Sequence, residues 1–146
     1  MHSYEVRDAL DIYRPRQAVR KFGTTLGFSH TDCQELAIVV SELVSNILKY
    51  GISGSVRFET ATDGDHGTGM LVAARDIGPP FRDLQMALRD GYDDRGPIDP
   101  GSLLKRGGLG AGLGAVLRLT DSFTVENLPQ GKEIRVIRYR CRPRRR

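Results

Sequence analysis

Three groups of residues have types and spacings suited to chemistry. In the segment "ELVSNILK", Glu42, Asn46 and Lys49 recur at intervals of four and three residues. At ~100° per residue they fall together, roughly 120° from an apolar stripe of Leu36, Val40, Leu43 and Ile47 on the same predicted helix. A carboxylate and an amide oxygen one turn apart, at the border of a core, suit a proton acceptor beside a cation ligand. Taken alone, the trio reads as a solvated helix edge. Asp76 is the second group: it closes the apolar run "MLVAARD" and is followed at once by Gly78, Pro79 and Pro80. A strand-end carboxylate of this kind either shapes its own turn through an Asx hydrogen bond or accepts one from a ligand's amino group. The third group is "KRGGLGAGLGAVLRLTDSF", with glycines at 107, 108, 110, 112 and 114 where a helix begins. Glycine disfavours a helix interior, so the segment is a hinge or a place where backbone approaches an anion. Free N–H groups and the helix dipole favour phosphate there, and the missing Cβ atoms let it come close.

The best-known phosphate loops do not account for these glycines. A P-loop needs GxxxxGK[ST], and the one "GK", at Gly131, is followed by Glu133. A dinucleotide-binding GxGxxG should follow a first strand, whereas these glycines come late, after a long polar loop.

The elements that must position the three groups follow from the pattern. "SYEVR" alternates as a half-buried strand does. Pro15 suits a first helical turn, and Val19, Phe22 and Leu26 share a helix face that ends near Gly27. Residues 29 to 32 offer N-caps for a second helix, which runs to about Tyr50 and stops at Gly51. "SVRFET" and "MLVAARD" read as a hairpin across a turn-forming loop, and "SFTVEN" and "EIRVIRY" as a second hairpin around "LPQG". Between them lie a short amphipathic segment with Phe81, Leu84 and Leu88 on one face, and a Gly-, Pro- and Asp-rich loop over residues 90 to 108. The glycine-rich helix itself sets Leu113, Val116, Leu117 and Thr120 on one side. Helices and hairpins in blocks predict an α+β two-layer sandwich, with helices on one face of a mixed, mostly antiparallel sheet.

Composition sets outer bounds. The 146 residues are one domain's worth, with ordinary apolar and charged fractions. The longest apolar stretch, Leu36 to Leu48, is broken by Glu42 and Asn46, so no membrane span is expected. The acidic residues Glu5, Asp8 and Asp11 leave no signal-peptide core, which predicts a cytoplasmic protein. Cys33 and Cys141 lack metal-ligand spacing and read as free thiols. Six arginines in "RYRCRPRRR" account for the formal +4; without them the chain stands at −2. With no interleaved aromatics or basic helix face, nucleic-acid binding is not expected.

Taken in order, E-x-x-x-N-x-x-K on a helix, D-x-G-P at a strand end and G-G-L-G-x-G-L-G at a helix start resemble the GHKL ATPases and their Bergerat fold. More narrowly, "PRQAVRKFGTTLGFS", "SELVSNILKYG", "ALRDGYDD" and "GLGAGLGAVLRLTDSF" are similar to the anti-sigma-factor-type serine/threonine kinases, nearest to the RsbT-type switch kinases of the stressosome. The resemblance covers about Tyr4 to Tyr139, which makes residues 1–139 a single kinase-like domain followed by a disordered basic tail over 140–146.

The resemblance implies roles. Glu42 is the carboxylate that takes a proton from a protein serine or threonine, Asn46 the Mg²⁺ ligand, and Lys49 a neighbour of the phosphates. Asp76 accepts the adenine amino group, and Gly78 lets the base lie on the turn. The backbone of Gly108, Leu109, Gly110, Ala111, Gly112 and Leu113 cradles the ATP phosphates under a lid formed by 90–108. The implied partners are a STAS-domain antagonist as substrate and a PP2C-type phosphatase regulator, and a homodimer is allowed. Two positions depart from the family pattern. Its second glycine after the adenine-binding Asp is Pro80, and its late Gly-Thr is Gly131-Lys132. Both lie at the adenine end, which keeps open an alternative: a partner-switching adaptor that binds nucleotide weakly or not at all.

Overall fold

The computed structural model describes residues 2–81, 84, 88, 92–93, 96–97 and 112–143. Strand β1 (His2–Val6) leads through a short 3-10 turn, Ala9–Ile12, whose Asp8 cap is braced by the Asp11 side chain, into helix α1 (Tyr13–Thr25). Helix α2 (His30–Asn46) starts where Ser29 Oγ accepts the Asp32 N–H at 3.1 Å, which satisfies one of the free donors of a helix start. Helical backbone continues beyond Asn46 through a wider, π-wound turn, Ile47–Gly51.

Strands β2 (Gly54–Asp63) and β3 (Gly67–Asp76) form the first hairpin, extending well into the segment expected as loop. A two-residue ladder, β4 (Tyr92–Asp93) with β5 (Gly96–Pro97), lies inside the span expected to be an irregular lid; the rest of that span is outside the described residues. Of the short segment before it, Leu88 N–H donates to Leu84 C=O at 3.1 Å, and Phe81 and Leu88 pack on the core. Helix α3 (Leu113–Arg118) and the hairpin of β6 (Ser122–Asn127) and β7 (Lys132–Tyr139) complete the chain.

The main sheet has the order β1-β2-β3-β7-β6, and every neighbouring pair is antiparallel. The sheet, expected as mixed and mostly antiparallel, is wholly antiparallel among the described residues. Because side chains alternate across a strand, Val56, Phe58, Met70, Val72, Ala74, Ile134 and Val136 share one face. They join Val19, Leu36, Val40, Leu43 and Val116 of the helices in a single buried cluster. Both α1 and α3 pack on α2. Of the residues expected on one side of α3, Leu113, Val116 and Thr120 are buried, whereas Leu117 is 38 % exposed.

Polar residues bind the layers. Arg138 of β7 is buried and reaches the start of α2, with Nη2 2.7 Å from Asp32 and Nη1 3.1 Å from Glu35 and 3.0 Å from Leu119 C=O. On the opposite face of the sheet, Glu133 is 0 % exposed beneath Arg57 and Arg75, each at 3.0 Å, and Arg135. The start of the basic tail is anchored too. Arg142 bonds Asp121 at 2.8 Å and the carbonyls of Arg118 and Thr120, while residues 144–146 lie outside the described residues.

Candidate functional site

Glu42 and Asn46 lie one turn apart on α2, as their spacing dictates, but not at an edge. The helix is buried without interruption from Ser41 to Ile47, leaving Glu42 1 % and Asn46 4 % exposed. The difference is tertiary, since α2 is flanked by α1 and α3 as well as the sheet. Asn46 Nδ2 is buried with no hydrogen-bond partner among the described residues. An orphaned buried amide is costly, so the site is arranged for an acceptor from beyond the described residues. Turning the amide by 180° would present Oδ1 at the same place, where a cation would satisfy it. Lys49 follows on the next turn. It is exposed on the π-wound turn, with its ammonium 5.3 Å from the Tyr50 ring centre.

Asp76 ends β3, 2 % exposed, and its Oδ1 accepts the Gly78 N–H at 2.9 Å. The Asx turn, one of the two roles its position allowed, is thus formed. The rest of its environment was not foreseen. Lys132, its register partner on β7, is 0 % exposed and sets Nζ 3.0 Å from Asp76 Oδ2 and 3.2 Å from Oδ1. The same ammonium donates to the Pro79 carbonyl at 3.0 Å and lies 5.0 Å from the centre of the Phe81 ring. The sequence flagged Lys132 as a departure. Its role as partner of Asp76 follows only from the β3–β7 register, in which the two residues face each other. Gly131 makes the approach feasible: its φ is +96°, and a Cβ there would stand 1.7 Å from the Asp76 carbonyl oxygen.

Of the glycine-rich segment, Gly108, Leu109, Gly110 and Ala111 lie outside the described residues. Gly112 precedes α3 with φ 66° and ψ −151°, a conformation open essentially to glycine alone. Leu113 opens the helix with its side chain in the core. No group of three or more potential metal-ligating His, Cys, Asp or Glu side chains occurs among the described residues. Cys33 and Cys141 are both free thiols, the first buried and the second exposed. Among the described residues no helix is long and apolar enough to cross a membrane.

The residues can be compared with what ATP and Mg²⁺ would require. At the α2 end they fit: a buried carboxylate stands one turn from an amide whose nitrogen lacks an acceptor among the described residues. At the β3 end they do not fit as arranged, because the carboxylate expected to receive the adenine amino group already holds an ammonium of the chain.

The sequence profile of the histidine kinase-like ATPase domain matches residues 7–138. The serine/threonine-protein kinase RsbT of Bacillus subtilis (strain 168) is 32 % identical over 130 residues, covering 88 % of this chain and 89 % of that one. Among solved structures, the SiaB-SiaC complex from Pseudomonas aeruginosa contains a chain of the same fold. That match has a TM-score of 0.58 and 16 % identity, and covers 94 % of this chain and 89 % of the other. The antiparallel sheet under its helices, the α2 pair and a profile spanning nearly the whole length agree: the chain belongs to the histidine kinase-like ATPase domain family.

Proposed function

We propose that the protein is a serine/threonine protein kinase of a partner-switching module. It would phosphorylate a STAS-domain antagonist and, once released, bind and activate a PP2C-type phosphatase regulator in the cytoplasm. The observation that carries this reading is the buried pair on α2: Glu42, one turn from an Asn46 whose amide nitrogen has no partner among the described residues. The likeness to a relative named as a serine/threonine kinase supports it. Bound Mg-ATP would supply the phosphoryl group. Glu42 would take the proton of the incoming hydroxyl as its oxygen bonds the γ-phosphorus and ADP leaves; Asn46 would hold the cation and the segment Gly108 to Leu113 would receive the phosphates, with positioning and charge neutralisation carrying most of the catalysis.

The test is transfer of labelled phosphate from ATP to the cognate STAS protein. Glu42→Ala should slow transfer by about 100-fold or more, the usual worth of a general base, while Mg-ATP affinity stays within several-fold. Undiminished transfer by Glu42→Ala would refute the assignment. A second reading, a non-enzymatic adaptor, is favoured by the Lys132–Asp76 pair in the base subsite. It requires that the partner proteins bind while no phosphate moves.

A further inference from the structure

Lys132 and Pro80 look like two unrelated departures in the sequence, but they meet at one point in the fold. The Lys132 ammonium has three N–H donors, and Asp76 and the Pro79 carbonyl receive them. Pro80 restricts the residue before it to extended backbone, which narrows the orientations open to the Pro79 carbonyl. Phe81 follows at once and lays its ring by the ammonium. The loop 79–81 and Lys132 thus form one closed unit around Asp76, with lysine and aspartate 0 % and 2 % exposed.

The energetic comparison goes against an incoming base. An amino group on a purine is a neutral donor, whereas the ammonium makes charge-assisted bonds about twice as strong. Displacing it would also leave a buried cation without its counter-charge, the costliest way to break such a pair. We propose that Lys132 is a built-in occupant of the base-recognition subsite. Asp76 reads Lys132 instead of adenine, so the chain holds nucleotides through their phosphates and cation, with no preference among bases. This rests on the nucleotide-binding part of the function proposed above, but not on phosphoryl transfer.

Calorimetric titration of the full chain with Mg-ATP and Mg-GTP tests it. The wild-type dissociation constants should agree within about 3-fold, and Lys132→Thr should tighten ATP by about 10-fold while leaving GTP unchanged, a difference of one good hydrogen bond. A wild-type preference for either base of about 10-fold or more overturns the proposal, as does a folded Lys132→Thr chain with an unaltered ATP-to-GTP ratio. Binding of neither nucleotide by the folded wild-type chain also overturns the proposal, which has the chain hold nucleotides through their phosphates and cation. Acetylation of native wild-type protein, mapped by mass spectrometry, needs no variant. Lys132 should resist the reagent with or without Mg-ATP while exposed Lys49 reacts, and labelling of Lys132 to the extent of Lys49 in either state overturns the proposal. Base-indifferent binding without phosphate transfer would defeat the kinase reading alone. ATP-selective binding with transfer would defeat this proposal alone.

Discussion

The cluster on the open face of the sheet makes the most quantitative prediction. Burial by itself would push the Glu133 carboxyl up, but hydrogen bonds from Arg57, Arg135 and Arg75 outweigh it and hold the pKa at about 2, against 4.5 for an ordinary glutamate. The folded value lies below the unfolded one, so this group's contribution is complete above pH 4.5 and is lost as pH falls toward about 2. The full difference corresponds to about 3 kcal/mol. Arg75 and Arg135 are half-exposed, and solvent screening brings that toward about 2 kcal/mol. Glu133→Gln keeps the volume, removes the charge and leaves three guanidiniums around a neutral amide. Urea denaturation of both chains between about pH 2.5 and 7 should show the variant about 2 kcal/mol less stable at neutral pH, with the gap closing steadily below about pH 4.5. Asp11 and Asp63 also titrate low, chiefly through backbone hydrogen bonds, but both chains share them, so the difference isolates Glu133. Parallel curves through the acid range, or a neutral-pH gap under about 0.5 kcal/mol, would refute the account.

Two backbone positions give further tests. Gly131→Ala would drive a Cβ into the Asp76 carbonyl at a φ of +96°; a loss of about 2 kcal/mol or more, with Lys132 becoming open to acetylation, is expected, and unchanged stability would contradict the close β3–β7 approach. Ile52 holds φ 72° and ψ −62° while 70 % exposed, a strain of about 1–3 kcal/mol for a β-branched residue. Ile52→Gly should therefore raise the unfolding free energy by about 1 kcal/mol after the added unfolded-state entropy, read as a higher urea midpoint, and a lower midpoint would count against the strain.

Much of the site was legible because its signals are local. The i, i+4 spacing of Glu42 and Asn46 requires only that the segment be helical, and the Asx turn at Asp76 requires only the next two residues. Their depth was not legible. Helical angle places the α2 pair beside the apolar stripe, but the packing of two helices on α2 sets how far that border lies from solvent. For Lys49 the π-wound turn after Asn46 changes the regular angular step on which the projection relied, a departure that spacing alone does not announce. Glu133 gave no sequence signal as a buried carboxylate. Its three arginines come from positions 57, 75 and 135, and only the pairing of β2, β3 and β7 brings them together.

By itself the sequence determined the order of the elements, the two hairpins and the family, since periodicity, caps and motif spacing all act within a few residues of one another. It also marked Pro80 and Lys132 as the places where this chain differs from its family. Only the tertiary structure decided what that difference means. Residues 76 and 132 are 56 apart in the chain, and strand register makes them neighbours, burying an ammonium against the carboxylate expected to read a base. A register is set by the summed pairing and packing of whole strands, so no local pattern around either residue could have announced their contact.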